Sequence, residues 1–240
     1  EGEIEIARQT QESILPLHPP KRPGYDFGSL VISARAVSGD FYDFIPFGRH
    51  KLGVVVGDVS DKGLHAALFM ALTFSLLRAE AGRGEDLAGT LLNVNRYLLK
   101  MNAASMFVTL LFAILDLRNG LLTWVRAGHL PPILLNANGQ SLGCAVTEAQ
   151  PLGLYPQINL DRQQYYLPAG GLALFFSDGL NEAADPQGNE FGLERIRQHL
   201  IARRAEPAQM ICEHLWQAVR AYSDPNPHQD DFTAVVVKRC

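Results

Sequence analysis

The chain opens with a helical pattern that stops at a proline. Ile4, Ala7, Gln11 and Ile14 recur at spacings of three and four residues, as the residues of one helix face do. Four prolines between residues 16 and 23 then end the helix and begin a loop. A helix of this length is marginal alone in water, so two interpretations stay open. Either it continues upstream or pairs with another copy, or it packs as an ordinary amphipathic helix on its own domain.

Beyond residue 25 the pattern changes to strands and then back to helices. The segments "GSLVISARAV" and "DFYDFIPF" alternate, and "KLGVVVGDVS" is a continuous valine-rich run typical of a buried strand. After Gly63 the period becomes helical, and a second helix is predicted over residues 86–101. The first of these helices is predicted to bury a wide face formed by Leu64, Leu68, Ala71, Leu72, Ser75 and Leu76.

The second half repeats this alternation of strands and helices. In "MFVTLLFAILDLRNGLLTWVRAGHLPPILL" the pair Asn119-Gly120 separates two apolar runs, which predicts a hairpin. A loosely patterned stretch precedes "GLALFFSDGLNEA", a buried strand that ends at Asp178-Gly179. Helices are predicted over 193–202 and 207–222, before a last strand, "FTAVVVKR". Because helices segregate from strands and hairpins dominate, the order predicts an α+β fold with antiparallel sheets rather than a doubly wound parallel sheet.

Composition narrows the class of protein. The 240 residues are 47% hydrophobic, which suits one large domain or two small ones with a substantial core. The net charge of −4 is mild and mixed, so we expect neither nucleic-acid binding nor a polybasic membrane patch. No signal peptide and no uninterrupted apolar run of about 18 residues is visible, so no transmembrane helix is expected. Since the chain begins with Glu1, we expect it to be a fragment of a longer protein.

The cysteines indicate the cellular compartment. Cys144, Cys212 and Cys240 are scattered and odd in number, so they form neither a disulfide framework nor a zinc pattern. A reducing cytoplasm fits this usage.

Five aspartates lie at the margins of predicted apolar strands. Asp40 precedes one strand, Asp58 and Asp178 end two others, and Asp230 and Asp231 precede the last. A carboxylate at the end of a buried strand is costly unless it is paired, caps a helix or binds a metal. Singly, each has an ordinary alternative, since Asp178-Gly179 also fits a turn and Asp58 also fits a cap of the following helix.

Taken together, the aspartates favour a metal centre. Oxygen ligands without a histidine or cysteine cluster suit hard cations such as Mg²⁺ or Mn²⁺. Two such ions about 3.5–4 Å apart can activate a water and clamp a phosphoryl group. Glycines beside the aspartates let the backbone or a substrate come close.

The motifs resemble a known family. In order, "SGDFYDF", "VGDVSDKGLHAALFMA", "MFVTLLFAILD", "RAGHLPPILL", "PLGL", "FFSDGLNEAADPQGNEFG" and "DDFTAVVVKR" are similar to those of metal-dependent Ser/Thr phosphatases of the protein phosphatase 2C type (PPM), in the bacterial SpoIIE/RsbU branch. The resemblance covers about residues 25–239. It implies a four-layer αββα sandwich of two antiparallel sheets flanked by pairs of helices. Residues 23–240 would be the phosphatase domain, and residues 1–22 the linker helix that ends an upstream coiled coil.

The resemblance also implies roles for single residues. Asp58 matches the bridging aspartate, Asp178 the aspartate of the "SDG" motif, and Asp230 the first residue of the terminal motif, so these three are the implied catalytic aspartates. Val59 matches the backbone-carbonyl ligand. The implied ligand set for two Mn²⁺ or Mg²⁺ ions is Asp40 (directly or through water), Asp58, Val59, Asp178, Asp230 and Asp231, with Asp230 preferred over its neighbour Asp231.

The chemistry implied is attack of an activated water on a phosphoserine or phosphothreonine. No cysteine nucleophile is expected, because no cysteine has an arginine six residues after it. His65 and His129 are candidates for the proton donor, although a structural role is favoured for both. Arg35 and Arg126 are candidates for phosphate binding, with packing roles favoured. "RAGH" and "PLG" are interpreted as structural or regulatory.

Three functions remain in competition. The leading one is a cytoplasmic phosphatase that acts on a phosphorylated anti-sigma-factor antagonist or a similar regulatory protein, under control of an upstream sensor and with homodimerisation through the N-terminal helix. The second is a catalytically silent scaffold of the same fold, which the retained aspartates argue against. The third is a phosphohydrolase for small molecules with a similar metal pair.

Overall fold

The computed structural model describes residues 2–102, 105–225 and 229–240. The elements in chain order are α1 (Gly2–Ile14), β1 (Tyr25–Ile32), β2 (Phe41–Phe47), β3 (Lys51–Val59), α2 (Leu64–Ala81), α3 (Leu87–Met101), β4 (Val108–Asp116), β5 (Leu121–Ala127), β6 (Ile133–Leu135), β7 (Asp161–Tyr166), β8 (Leu172–Phe176), α4 (Asp178–Asn181), α5 (Gly192–Arg203), α6 (Ala208–Ser223) and β9 (Phe232–Arg239).

These elements form two compact units. The first unit comprises Glu1–Leu17, Arg35–Pro131 and Ala145–Tyr166. The second unit comprises His18–Ala34, Pro132–Cys144 and Leu167–Cys240. Among the residues that the structure describes, each unit contains one antiparallel sheet and three helices. The predicted boundary between residues 22 and 23 stays a prediction.

The first unit is built on a sheet with the strand order β2-β3-β4-β5-β7. Its β4–β5 connection is the predicted hairpin. Gly120 has a φ of 84° and its N–H donates to the Asp116 carbonyl at 2.8 Å, while the Asn119 side chain accepts from the Leu121 N–H. The positive φ of the glycine and the side-chain hydrogen bond of the asparagine are the properties for which this pair favours a hairpin turn. Strand β7, in the loosely patterned stretch, carries mostly polar residues, and its pattern did not predict it.

The core of the first unit contains residues of α2 and α3 together with side chains of its sheet. Its members include Phe41, Val55, Phe69, Met70, Phe74, Leu91, Leu98, Phe112 and Val125. Helix α3 begins one residue after Asp86, whose side chain accepts from the Gly89 N–H at 3.0 Å. That cap explains why the predicted start at residue 86 agrees with the structure.

The prediction for the buried face of α2 was wrong. Leu64 and Leu68 are 51% and 62% exposed, whereas Met70, Phe74 and Leu77 are buried. The helix is apolar on most of its circumference, so its periodicity could not select the inward face.

Helix α2 also bears on the expectation about membranes. Within the described residues it is the single helix long and apolar enough to cross a membrane by length and composition. Half of its span is buried inside the protein, and the core helices of soluble proteins pass the same test.

Helix α1 packs against its own unit over part of its predicted face. Gln11 is buried, and Ile14 packs partly against the core. Ile4, by contrast, is 51% exposed. The interpretation as an amphipathic helix packed on its own domain therefore holds for the second half of α1, and pairing with another copy stays a prediction.

The second unit is built on a sheet with the strand order β1-β9-β8-β6. Helix α6 packs on β1 at Gly28, where an added Cβ would overlap the Ala208 backbone. Asp26 of the same strand accepts from the Ala208 N–H at 2.7 Å and so caps the helix. Helices α5 and α6 match the predicted ranges within one residue, whereas the four-residue α4 was not predicted.

The predicted fold class is confirmed. The chain is α+β, with two antiparallel sheets and helices, in the predicted order of strands, two helices, strands, two helices and a final strand, except that the short α4 precedes the second pair of helices.

Candidate metal centre

Asp40, Asp58 and Val59 lie close to one another in the first unit. Asp58 and Val59 end β3, where they face Thr109 and Val108 of β4, and Asp40 directly precedes β2. An added Cβ on Gly39 would lie 3.0 Å from the Val59 carbonyl oxygen and 3.6 Å from Asp58 Oδ1. Glycine at position 39 therefore lets the segment before Asp40 approach the Asp58–Val59 backbone closely.

The end of β3 is held by a reciprocal pair of hydrogen bonds. The Ser60 N–H donates to the Phe107 carbonyl at 2.9 Å, and the Phe107 N–H donates to Ser60 Oγ at 2.8 Å. The chain then turns away through Asp61 and Gly63, which have φ values of 78° and 86°. Helix α2 follows with Gly63, rather than Asp58, at its N-cap position.

Asp178, Asp230 and Asp231 belong to the second unit. Asp178 is the first residue of α4, and the other two directly precede β9. Ser177 ties the two segments together, since its N–H donates to the Thr233 carbonyl at 3.1 Å and its Oγ accepts from the Thr233 N–H at 3.0 Å. An added Cβ on Gly179 would overlap the Asp231 carbonyl oxygen. Glycine after Asp178 is therefore required for this approach, which is tighter than a turn alone would need.

The side chains of Asp230 and Asp231 have different partners. Asp231 Oδ1 accepts from the Ala34 N–H at 2.8 Å and thereby holds the residue that follows β1 by two positions. Asp230 Oδ1 accepts from the Asp231 N–H at 2.9 Å, a bond within the same turn. Asp231 thus contributes to local structure, and the preference for Asp230 as the ligand stays a prediction.

Glu182 reports on the electrostatics of this acidic segment. Its pKa is raised above the ordinary value, first by burial and then by the negative charges of Asp178, Glu190 and Asp230. A bound cation would offset the negative charges that raise the pKa of Glu182. The sequence analysis did not single out Glu182, although its position four residues after Asp178 on a helical turn was a usable signal.

The donor set fits a hard divalent cation, but it is divided between the units. Asp40, Asp58 and Val59 belong to the first, and Asp178, Asp230 and Asp231 to the second. Within residues 2–102, 105–225 and 229–240, no three His, Cys, Asp or Glu side chains lie close enough together to hold a metal ion. The ligand set therefore stays a prediction.

The histidine and arginine candidates lie in contrasting surroundings. Arg126 is buried and pairs with Asp161, and its guanidinium also donates to the carbonyls of His129 at 2.7 Å and Thr147 at 2.6 Å. The His129 Nδ1 is hydrogen bonded to Thr109 Oγ1 at 2.8 Å. These contacts support the structural roles favoured for both residues, whereas His65 and Arg35 are exposed.

The "RAGH" and "PLG" motifs meet in the first unit. Gly128 has a φ of 70°, and an added Cβ there would lie 3.0 Å from the Pro151 nitrogen. Leu152 pairs its backbone with Val108, and the Gly153 N–H donates to Asn95 Oδ1 at 2.7 Å. Both motifs thus fix the backbone around the start of β4, which supports the structural interpretation.

Comparison with known proteins decides the family. A family model described as Stage II sporulation protein E (SpoIIE) matches residues 48–240. The chain belongs to the SpoIIE family. The resemblance to the PP2C-like SpoIIE/RsbU branch is thereby confirmed.

The relatives of this SpoIIE-family chain include longer proteins. It is 29% identical over 269 residues to Protein IcfG of Synechocystis sp., a match that covers 99% of this chain and 41% of IcfG. It is 26% identical over 240 residues to Phosphoserine phosphatase RsbU of Bacillus subtilis, covering 99% of this chain and 70% of RsbU. The chain thus spans less than half of IcfG.

A solved structure gives the same fold. The structure of the RsbU and RsbW domains of Rv1364c from Mycobacterium tuberculosis matches with a TM-score of 0.79 and 27% identity, over 92% of this chain and 61% of that chain. At the level of the family, the relatives named phosphoserine phosphatase support the predicted class of enzyme, a phosphatase.

Proposed function

We propose that this chain is a metal-dependent serine/threonine protein phosphatase domain. Its substrate is a phosphoserine or phosphothreonine on a bacterial regulatory protein of the anti-sigma-factor antagonist type, and an upstream sensor controls it. The observation that carries this proposal is the close backbone packing at two glycines beside aspartates. Gly39 lies against the Asp58–Val59 segment, and Gly179 lies against Asp231. Membership in the SpoIIE family and the name of RsbU support the reaction and the phosphoserine.

The proposed metal ligands are Asp40, Asp58, the Val59 carbonyl, Asp178, Asp230 and, with a larger structural role, Asp231. PP2C-like phosphatases are metal-dependent, and oxygen donors suit two Mn²⁺ or Mg²⁺ ions. When bound, such ions supply Lewis acidity that activates water and offsets phosphoryl charge.

The residues of the chain contribute placement to this reaction. Asp58, Asp178 and Asp230 would hold the cations, and the Ser60–Phe107 pair fixes the backbone next to the Val59 carbonyl. Ser177 fixes Asp178 relative to the segment that carries Asp230. The close backbone packing at Gly39 and Gly179 limits how far these segments can shift, and pre-set ligand geometry of this kind favours binding.

Two further properties belong to this proposal. The three cysteines are free thiols, which supports a reducing compartment such as the cytoplasm. Homodimerisation through α1 would use the exposed Ile4 and Ile6, which lie at the start of that helix.

The substrate class is tested by comparing phosphate release from different donors with Mn²⁺ present. We expect faster release from a phosphoserine-bearing anti-sigma-factor antagonist than from nucleotides or sugar phosphates, and loss of release in Asp178→Asn. A matched control is Asp116→Asn, because Asp116 ends β4 at the opposite end from the residues that face Asp58 and Val59. Preference for a nucleotide or sugar phosphate would replace this substrate by a small molecule. If the chain binds the anti-sigma-factor antagonist without metal and does not hydrolyse its phosphoserine, the catalytically silent scaffold is favoured.

A further inference from the structure

Asn102 joins two backbone segments of the first unit through its side chain. It directly follows α3 and is half-buried. Its Oδ1 accepts from the Met106 N–H at 2.9 Å, while its Nδ2 donates to the Met106 carbonyl and, at 2.9 Å, to the Gly153 carbonyl. One side chain therefore ties the segment before β4 to the "PLG" segment, residues 151–153.

The "PLG" segment lies along the start of β4 as a short extra strand would. The Leu152 N–H donates to the Val108 carbonyl at 2.8 Å, and the Leu152 carbonyl accepts from the Val108 N–H at 2.9 Å. In the ladder between β3 and β4, Val108 also faces Val59. Val108 is thus held by Leu152 while it packs beside the residue whose carbonyl is a proposed metal ligand.

Two asparagines from one helix fix the backbone of Gly153. Its N–H donates to Asn95 Oδ1 at 2.7 Å, and its carbonyl accepts from Asn102 Nδ2. The two asparagines are seven residues apart, about two helical turns, so they lie on the same side of α3. Gly153 has a φ of 87°, and an added Cβ would lie 3.2 Å from the Met106 carbonyl oxygen. Glycine therefore lets this segment approach the same residue that Asn102 holds.

The backbone that Asn102 holds continues directly into the contacts at the end of β3. Phe107, next to Met106, exchanges two hydrogen bonds with Ser60. The Val59 carbonyl directly precedes the Ser60 nitrogen in the chain. A continuous set of contacts therefore runs from Asn102 through residues 106–107 to the peptide group that contains the Val59 carbonyl.

We propose that Asn102 is a positioning residue for the Val59 carbonyl of the proposed metal centre. By joining Met106 to Gly153, it fixes the start of β4, against which the end of β3 is held, and so raises the affinity of the site for a divalent cation. This inference rests on the proposed metal-dependent function and deepens it, because it gives the junction of α3 with the "PLG" segment a part in cation binding.

Asn102→Leu tests the contact, with Lys100→Ala as its local control. Leucine has nearly the shape of asparagine and removes all three hydrogen bonds, whereas Lys100 is an exposed residue of the same helix. Hydrogen exchange of the metal-free protein reads the contact directly, since the Met106 N–H loses its acceptor. We expect faster exchange at Met106 in Asn102→Leu and no change there in Lys100→Ala. Unchanged exchange at Met106 in Asn102→Leu would overturn the inference.

Calorimetric titration with Mn²⁺ then measures the effect on cation binding. We expect Asn102→Leu to weaken Mn²⁺ binding about 10-fold, the lower end of the range found when groups that support metal ligands are removed. Hydrolysis of p-nitrophenyl phosphate should need a correspondingly higher Mn²⁺ concentration and should approach the wild-type rate at saturation.

A control in the second unit separates positioning from a general loss of stability. Leu215→Ala removes a buried side chain of α6 and should destabilise the fold without touching these contacts. It should lower the melting temperature and keep the wild-type Mn²⁺ requirement. If Asn102→Leu likewise lowers only the melting temperature, or if both variants shift the Mn²⁺ requirement equally, Asn102 has a merely structural role and the inference is overturned.

Gly153→Ala gives a second test that leaves the Asn102 side chain in place. The added methyl group presses on the Met106 carbonyl, so this variant should weaken Mn²⁺ binding in the same direction. Wild-type affinity for Mn²⁺ in both Asn102→Leu and Gly153→Ala would overturn the inference while leaving the proposed function intact. If the wild-type protein itself binds no Mn²⁺, the proposed function fails, and the inference fails with it.

Discussion

Glycines at two positions allow backbone to lie against acidic segments more closely than any other residue would. At Gly39 an added Cβ would crowd the Val59 carbonyl, and at Gly179 it would overlap the Asp231 carbonyl. The sequence displayed both glycines beside aspartates, and that adjacency predicted close approach. It could not predict what they approach, because the contacting residues lie 20 and 52 positions away in the chain.

Gly179→Ala is expected to impair both stability and hydrolysis. The added methyl group must displace the Asp231 backbone, and overpacking of this kind costs about 1–3 kcal/mol. Urea unfolding and Mn²⁺-dependent phosphate release measure the two effects. Gly82→Ala is the control, because Gly82 has an ordinary helical backbone and an added Cβ meets only atoms at 3.5 Å or more. Equal behaviour of the two variants would show that the approach at Gly179 is not tight.

The ion pair of Arg126 and Asp161 is expected to make stability depend on pH. Burial raises the pKa of Asp161, but hydrogen bonds from Thr147, Gln163 and Arg126 outweigh it, so the pKa is lowered overall. A lowered carboxyl pKa stabilises the fold above the ordinary value of about 4 and loses that contribution as the pH falls through the folded pKa.

Asp161→Asn should therefore lower the free energy of unfolding by about 3–5 kcal/mol at pH 7, because it leaves a buried guanidinium without its counter-charge. The deficit relative to wild type should stay constant above about pH 5 and shrink as the pH falls below about 4. Glu194→Gln is the comparison, since its partner Arg197 and Glu194 itself are 40% and 73% exposed and such pairs contribute about 0–1 kcal/mol. A deficit that persists unchanged at pH 3 would contradict this account.

At the scale of elements, hydrophobic periodicity predicted helices correctly where one face is polar. It failed to identify the buried face where no face is polar. Helix α3 has a capping aspartate and alternating faces, and its prediction agreed with the structure. Helix α2 is apolar nearly all round, so its tertiary contacts, rather than its pattern, decide which face is buried. Strand β7 was missed for the opposite reason, because its residues are mostly polar.

The orientation of α2 is tested by a pair of alanine substitutions. Met70→Ala should lower the free energy of unfolding by about 2–5 kcal/mol, because Met70 is fully buried. Leu68→Ala, two residues earlier, should change it by no more than about 0.5 kcal/mol, because Leu68 is mostly exposed. Chemical denaturation measures both free energies. A larger loss of unfolding free energy in Leu68→Ala than in Met70→Ala would support the buried face that the sequence pattern predicted.

The contact between α3 and the "PLG" segment is also specific. Asn95 is buried, accepts from the Gly153 N–H and donates to the Tyr155 carbonyl at 2.9 Å. Asn95→Leu should cost about 1–3 kcal/mol of unfolding free energy, because the buried Gly153 N–H loses its partner. The exposed Arg96→Ala on the same helix should stay within about 0.5 kcal/mol. Denaturation curves that coincide for the two variants would argue against this role of Asn95.

At the scale of the whole molecule, the sequence was most informative about local order and least informative about tertiary partners. The α+β class, the hairpin at Asn119-Gly120 and the positions of the aspartates at strand margins followed from pattern and turn chemistry. The hydrogen bond from the Ala34 N–H to Asp231 and the pairing of Gln11 with Ser38 could not be predicted from the sequence. Each joins residues far apart in the chain, and neither residue type identifies its partner.

The central claim is that the aspartates of this chain bind divalent cations for phosphoester hydrolysis. The most direct test measures phosphate release from a phosphoserine peptide with Mn²⁺, with EDTA and in Asp58→Asn and Asp178→Asn, with Mn²⁺ binding followed by calorimetry on the same samples. We predict release that requires Mn²⁺, falls at least about 100-fold in both variants, and is accompanied by weakened Mn²⁺ binding in proteins that remain folded. Release that persists in EDTA, or wild-type Mn²⁺ binding in both variants, would contradict the account.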